Sequence, residues 1–133
     1  MDGCKKYKNV SEADRAQGNT SQPHSKWKWS METVWYRFQG AAGDRLPHRC
    51  VLMWRCGTRH AGWLNCTHPT FAEGVVTRRV CFSGRRSCCR WSYIIKVKNC
   101  SSYYVYQLQR VPYNLGYCGN AGAGKLTWDK LRF

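Results

Sequence analysis

Acidic residues are scarce in this chain: seven Asp and Glu stand against 22 Lys and Arg in 133 residues, a formal charge of +15. The seven, Asp2, Glu12, Asp14, Glu32, Asp44, Glu73 and Asp129, are scattered, without the close carboxylate pair that glycoside hydrolysis needs. Apolar runs are short as well. None approaches the ~18 residues required to cross a bilayer as a helix. The start, Met1-Asp2-Gly3-Cys4-Lys5-Lys6, lacks the apolar stretch of a signal peptide. The length allows one domain, which excludes a doubly wound nucleotide fold or a barrel enzyme. Aromatic residues, at 14%, are plentiful, which argues for a folded core and against a disordered basic tail.

Cysteine is abundant, with nine in the chain. Cysteine-dense small domains belong to oxidising compartments, where disulfides staple a core too small to hold itself. An odd count leaves at least one thiol without a partner in the chain. Four N-glycosylation acceptors agree with an extracellular setting: Asn9-Val10-Ser11, Asn19-Thr20-Ser21, Asn65-Cys66-Thr67 and Asn99-Cys100-Ser101. Asn65 and Asn99 fall in expected loops, and both carry Cys at the middle position, which lowers acceptor efficiency. Secretion requires a signal peptide upstream of Met1, and the expected location is secreted or on the extracellular surface.

Residues 1–30 are polar and basic, with a Gly/Asn/Ser/Pro-containing stretch from Gly18 to Ser25, and read as an arm or loop. Residues 31–118 read as a disulfide-stapled, mainly β domain with little helix, to which Cys4 is tied. Period-two alternation marks strands at 34–38, 50–56, 74–82, 90–98 and 103–111. The last two are separated by Asn99-Cys100-Ser101-Ser102, as in a hairpin. Thr70-Phe71-Ala72-Glu73 fits a capping box, but Gly74 limits it to one helical turn. Residues 119–133 read as a flexible tail.

Several constellations invite chemistry. Gly119-Asn120-Ala121-Gly122-Ala123-Gly124-Lys125 has the spacing of a phosphate-binding loop, yet Leu126 stands where a hydroxyl must hold magnesium. A flexible Gly-rich linker is the better reading. His48, Cys50, Cys56 and His60 resemble a zinc set, but the short Cys knuckle is missing and Cys88-Cys89 are adjacent, so disulfides are preferred to metal. Ser83 lacks the flanking glycines of a nucleophile elbow. His48, His60 or His68 would support a nucleophilic Cys only if its sulfur were free. The chain is therefore read as non-enzymatic, without cofactor or metal. Arg78, Arg79, Arg85, Arg86 and Arg90 form a basic cluster suited to sulfated glycans or anionic membranes, weighed against a merely solvated face. No nucleic-acid motif is present, and the aromatic run Tyr103-Tyr104-Val105-Tyr106 reads as a strand before it reads as a base-stacking platform.

Other segments carry a resemblance. Trp35-Tyr36-Arg37-Phe38, Arg55-Cys56-Gly57-Thr58, Trp63-Leu64-Asn65-Cys66-Thr67-His68-Pro69, Glu73-Gly74-Val75-Val76, Cys88-Cys89-Arg90-Trp91, Val97-Lys98-Asn99-Cys100 and Tyr103-Tyr104-Val105-Tyr106 resemble the cysteine-rich extracellular domain shared by uromodulin, the pancreatic zymogen-granule glycoprotein and a liver zona-pellucida-like protein. The resemblance implies the pairs Cys4–Cys100, Cys50–Cys88, Cys56–Cys118 and Cys81–Cys89. A fifth family bridge, between positions near Lys28 and Tyr113, is missing as a whole. Cys66 replaces a family glycine and is the odd thiol, free or bonded to a second chain in a dimer. Family members are extracellular glycoproteins, some of which present glycans as decoys to bacterial adhesins. The decoy acceptor corresponds to Gln107, which cannot carry an N-glycan, whereas Asn65 matches a second family acceptor position. The expected role is a non-enzymatic surface-recognition or host-defence module. The alternatives are a cationic module for heparin-like glycans or anionic membranes and, less favoured, an intracellular zinc-dependent nucleic-acid binder.

Overall fold

The computed structural model describes residues 2–20, 34–112 and 114–122. Seven strands form one sheet: β1 (Lys8–Val10), β2 (Tyr36–Phe38), β3 (His60–Leu64), β4 (Val75–Gly84), β5 (Ser87–Asn99), β6 (Tyr104–Gln107) and β7 (Leu115–Tyr117), in the order β1-β2-β6-β5-β4-β3-β7. Its centre is the β4–β5 hairpin, whose ladder runs from Val75↔Lys98 to Phe82↔Trp91 before a register shift near Gly84. The outermost pairs, β1–β2 and β3–β7, are parallel. No helix beyond single 3₁₀ turns occurs among the described residues, and the fold is mainly β and disulfide-rich.

Alternation explains the hairpin. Val80 and Phe82 on β4 and Ile95 and Val97 on β5 turn to one face, where Leu64, Tyr106, Phe38, Tyr117, Ala42 and Leu46 join them in the main core. Each fully buried apolar side chain of this kind contributes ~1.5–3 kcal/mol. The opposite face carries a smaller cluster of Val51, Cys56, Ala61, Trp63, Cys81 and Cys118. Three disulfides, Cys50–Cys88, Cys56–Cys118 and Cys81–Cys89, gather at that cluster, and the fourth, Cys4–Cys100, clamps residues 2–7 to the end of β5. In the chain-entropy account, the Cys50–Cys88 loop alone is worth roughly 4 kcal/mol.

The expected strands at 74–82, 90–98 and 34–38 are present with shifted bounds, but the one at 50–56 is not. Trp54 and Cys56 have φ of 65° and 61°, a left-handed conformation that no strand accepts. Cys50 and Cys56 bond in different directions, to Cys88 and Cys118, so the segment is a cross-linked loop with Val51 inside and Leu52 and Trp54 outside. The strand expected over 103–111 ends at Gln107, where the chain leaves β5 and sends Leu108 into the core.

The polar segment read as an arm or loop packs on the sheet over residues 2–20. β1 pairs with β2, Val10 enters the core, and Arg15 is 1% exposed in the 3₁₀ turn Ala13–Arg15. In the span read as a tail, Gly119 bridges to Ala16. Beyond residue 122 the Gly-rich Lys125 loop lies outside the described residues, as do the positions near Lys28 and Tyr113. Three strands escape the alternation rule, β7 among them, all three of its residues being buried. β3 is buried on both faces along its whole length, so it has no polar phase. Gly62 is required there, because a Cβ would sit 2.5 Å from the Phe82 ring and 3.0 Å from the Gly116 carbonyl oxygen. β1, with Val10 as its one buried side chain, is too short to show a period.

Candidate functional site

The candidate site is a set of surface groups on a rigid sheet. The four glycan acceptors differ in how their amides are used. Asn99 is half-buried at the end of β5, where its Nδ2 donates to the Pro69 carbonyl (3.0 Å) and its Oδ1 accepts from the Ser101 N–H (2.7 Å). Asn19 donates from Nδ2 to the Asp14 carbonyl, and Asn9 accepts from the Gln39 side chain. Asn65 lies exposed just after β3, held by its own backbone N–H to the Arg79 carbonyl (2.9 Å). Its side chain makes no hydrogen bond to the described residues. Among the four it offers a free amide on a fixed backbone, the geometry a displayed glycan needs. Cys66, next to it, is exposed and unpaired among the described residues.

Strand register divides the basic cluster. Arg78 pairs with Ile95 on the core side of the ladder; its Nε donates to the Thr67 carbonyl (3.0 Å) and its guanidinium lies 3.7 Å from the Glu73 carboxylate. That carboxylate also accepts from the Thr70 N–H, closing the expected single turn at Phe71–Glu73. Arg79 faces the other way, opposite Ile94, and donates to the Ser92 Oγ (2.8 Å). Arg85 and Arg86 are exposed at the β4–β5 turn, and the Arg90 guanidinium lies 5.0 Å from the Trp91 ring centre. Lys96 and Lys98 share the Arg79 face, with Lys98 contacting Asp2 at 3.3 Å.

The sulfurs considered for zinc are consumed: Cys50 and Cys56 both lie in disulfides. His60 is buried, its Nδ1 2.9 Å from the Ser83 carbonyl and its ring edge-on to Trp91. The tyrosine-rich strand has its rings engaged within the protein. Tyr103 donates to the Cys4 carbonyl and takes the Arg37 guanidinium 3.8 Å from its ring centre. Tyr104 stacks against His68, 4.4 Å between centres. Gln107 is half-buried opposite Lys96.

A polar chain that no local motif announces runs through the main core. The Leu46 N–H donates to the Tyr106 Oη (3.0 Å), and His68 Nε2 lies 2.7 Å from the same oxygen. Tyr106 is fully buried, so its O–H proton needs an acceptor, and the one in reach among the described residues is Nε2; the hydroxyl therefore donates to an unprotonated Nε2, placing the histidine proton on Nδ1. Burial, reinforced by Arg45, His48 and Arg78, pushes the His68 pKa down to about 4 against the opposing pull of Asp44. Burial likewise pushes the Tyr106 hydroxyl far up. The pair is thus neutral and structural. Its one sequence signal was the Thr67-His68-Pro69 segment, whose partner lies 38 residues away.

Among known families, the model of the uromodulin-like domain matches residues 36–119. The chain is 42% identical over 124 residues to the pancreatic secretory granule membrane major glycoprotein GP2 of Canis lupus familiaris, covering 90% of this chain and 24% of that protein. It is 41% identical over 100 residues to uromodulin of Mus musculus (74% and 16%) and 45% identical over 98 residues to uromodulin of Rattus norvegicus (72% and 15%). The chain spans a quarter or less of the length of these relatives.

Proposed function

The chain belongs to the uromodulin-like domain family, and we propose that it is a non-enzymatic extracellular module that displays an N-glycan at Asn65 for recognition by glycan-binding proteins such as bacterial adhesins. The observation that carries this reading is the exposed Asn65 amide, free of side-chain hydrogen bonds to the described residues and set on a backbone pinned to β4. Gln107 stands at the position corresponding to the decoy acceptor of some relatives, so any decoy role here falls to Asn65. The four disulfides support an oxidising compartment.

Secretion from animal cells followed by glycopeptide mapping tests the proposal. The expected result is high occupancy at Asn65, low occupancy at Asn99, and loss of adhesin capture in Asn65→Gln or after enzymatic removal of the glycan. An unoccupied Asn65 in the secreted protein refutes it.

A second reading, binding of sulfated glycans, is supported by Arg79 and Lys96 on one exposed face. Retention on heparin that falls steeply with salt and weakens in Arg79→Glu would favour it; retention unchanged in that variant would exclude this face.

A further inference from the structure

β5 is thirteen residues long, but β6 pairs only with its last four, from Lys96 to Asn99. From Trp91 to Ile95 one edge of β5 is bonded to β4, and the other carries no strand among the described residues. Residues of one parity point both backbone groups to the same side. The Cys100 N–H donates to the Tyr103 carbonyl, and Arg79, the partner of Ile94, turns its carbonyl away from β5 to the Asn65 N–H, so the even-numbered Ser92 and Ile94 present theirs to the open edge. One of these groups is already taken: the Gln109 side-chain amide donates to the Ile94 carbonyl, as a strand's N–H would. The Ser92 N–H and C=O and the Ile94 N–H have no strand partner among the described residues, along an edge of ~16 Å.

Beside this edge, where the chain departs after β6, lies a groove of about 420 Å³ lined by Thr77, Ile94, Lys96, Gln107, Gln109 and Arg110. Ile94 is 45% exposed on its floor. The charged residues lining it are all basic, and Arg79 sits opposite Ile94 on the same face. The acidic side chains nearest this hairpin, Glu73 and Asp2, are spent on Arg78 and Lys98.

We propose that the open edge of β5 from Trp91 to Ile95 is a strand-addition site for an extended, acidic polypeptide segment, with apolar residues alternating with Asp or Glu. The backbone of such a segment pairs with Ser92 and Ile94, and its carboxylates meet Arg79 and Lys96. A second copy of this chain is disfavoured as the occupant, because self-pairing about a two-fold axis would bring these cations against their own kind.

The probe is a fluorescent, end-capped peptide of alternating Glu and Val about six residues long, presented to the full chain at physiological ionic strength. Binding should slow amide hydrogen exchange at Ser92 and Ile94 by at least about tenfold. The same peptide N-methylated on the residues that face the edge keeps its charge but loses its donors, and should bind about tenfold more weakly. Arg79→Glu should weaken the unmodified peptide by a similar factor. The proposal is overturned if the peptide does not bind, if it binds without protecting Ser92 and Ile94, or if N-methylation has no effect. Dextran sulfate reproducing the protection would overturn it too, as would concentration-dependent dimerisation in sedimentation that protects the same amides.

Discussion

Acidification should destabilise this protein in a pH window set by His68. In the folded state the imidazole is packed against Tyr104, accepts from the Tyr106 hydroxyl, and has its pKa pushed down to about 4 from 6.5. The unfolded chain takes up a proton at about pH 6.5, whereas the folded chain resists until about pH 4. Between these values the unfolded state binds more protons, so stability falls with pH, by about 3 kcal/mol across the window. Below it the loss from His68 levels off, because both states are then protonated. The carboxylates follow later. Asp44, held down by its hydrogen bond to Arg45, and Glu73, held down by the Thr70 N–H, stabilise above the ordinary carboxylate range and lose that stability as pH falls through their lowered pKa values. The His68 window therefore precedes theirs.

The assay is urea unfolding followed by tryptophan fluorescence at pH 7.5 and 4.5, with disulfides intact, on the parent chain and on His68→Gln. Glutamine retains an acceptor for the Tyr106 hydroxyl without a titratable group. Its baseline at pH 7.5 falls through imperfect packing, but its loss on acidification should be smaller than the parent's by about 2–3 kcal/mol. Equal acid losses in the two proteins, or a parent loss below about 1 kcal/mol over this range, would refute the assignment of a buried neutral histidine.

Three further outcomes follow from the same packing. Removal of the bridge spanning 96 residues with Cys4→Ala/Cys100→Ala should cost about 5 kcal/mol, against roughly 2.5 kcal/mol for Cys81→Ala/Cys89→Ala, which spans 8; chemical denaturation of the two variants checks the order. Gly62→Ala drives a methyl into the Phe82 ring and the β7 backbone and should destabilise by about 2 kcal/mol, read as a lower urea midpoint with an unchanged slope. Thiol titration of the native protein should find Cys66 reactive at once, while the eight bridged sulfurs stay silent until reduction.

What was legible in the sequence was the part of the fold where one face is buried and the other wet. In β5, Ile95 and Val97 alternate with the exposed Ile94 and Lys96, and β4 alternates over 75–79 before Cys81 and Ser83 are buried along with Val80 and Phe82, so periodicity placed both strands. Where both faces are covered, as in His60–Leu64, the polar phase vanishes and so does the signal. β1 failed differently. Three residues with one buried side chain, Val10, make no pattern, and the strand exists because its neighbours are tied down by Cys4 and paired with β2. The false strand at 50–56 had the alternation but also two cysteines bonded to separate places, and cross-links override propensity. Glycan acceptors were legible as motifs, but their ranking was not. It depends on which amides the fold consumes, and the Asn99 bond to Pro69 closes over thirty residues of chain.

The charge of +15 takes on a different meaning once the register is known. A run such as Arg78-Arg79 has the look of one patch in sequence, yet a strand sends its two side chains to opposite faces. Arg78 is drawn to Glu73 and the Thr67 carbonyl, so it serves the loop that carries Asn65 and Cys66. Arg79 is left with Lys96 on the exposed face. A polyanion binding by charge density alone would respond similarly to neutralising either arginine. A ligand seated on the β5 edge would respond to Arg79 and hardly to Arg78, whose loss would instead loosen the Asn65 loop. Comparing Arg78→Gln with Arg79→Gln for heparin retention and for peptide binding therefore separates the general electrostatic field from a site with an address. Equal effects of the two variants on peptide binding would mean that the register has no part in recognition.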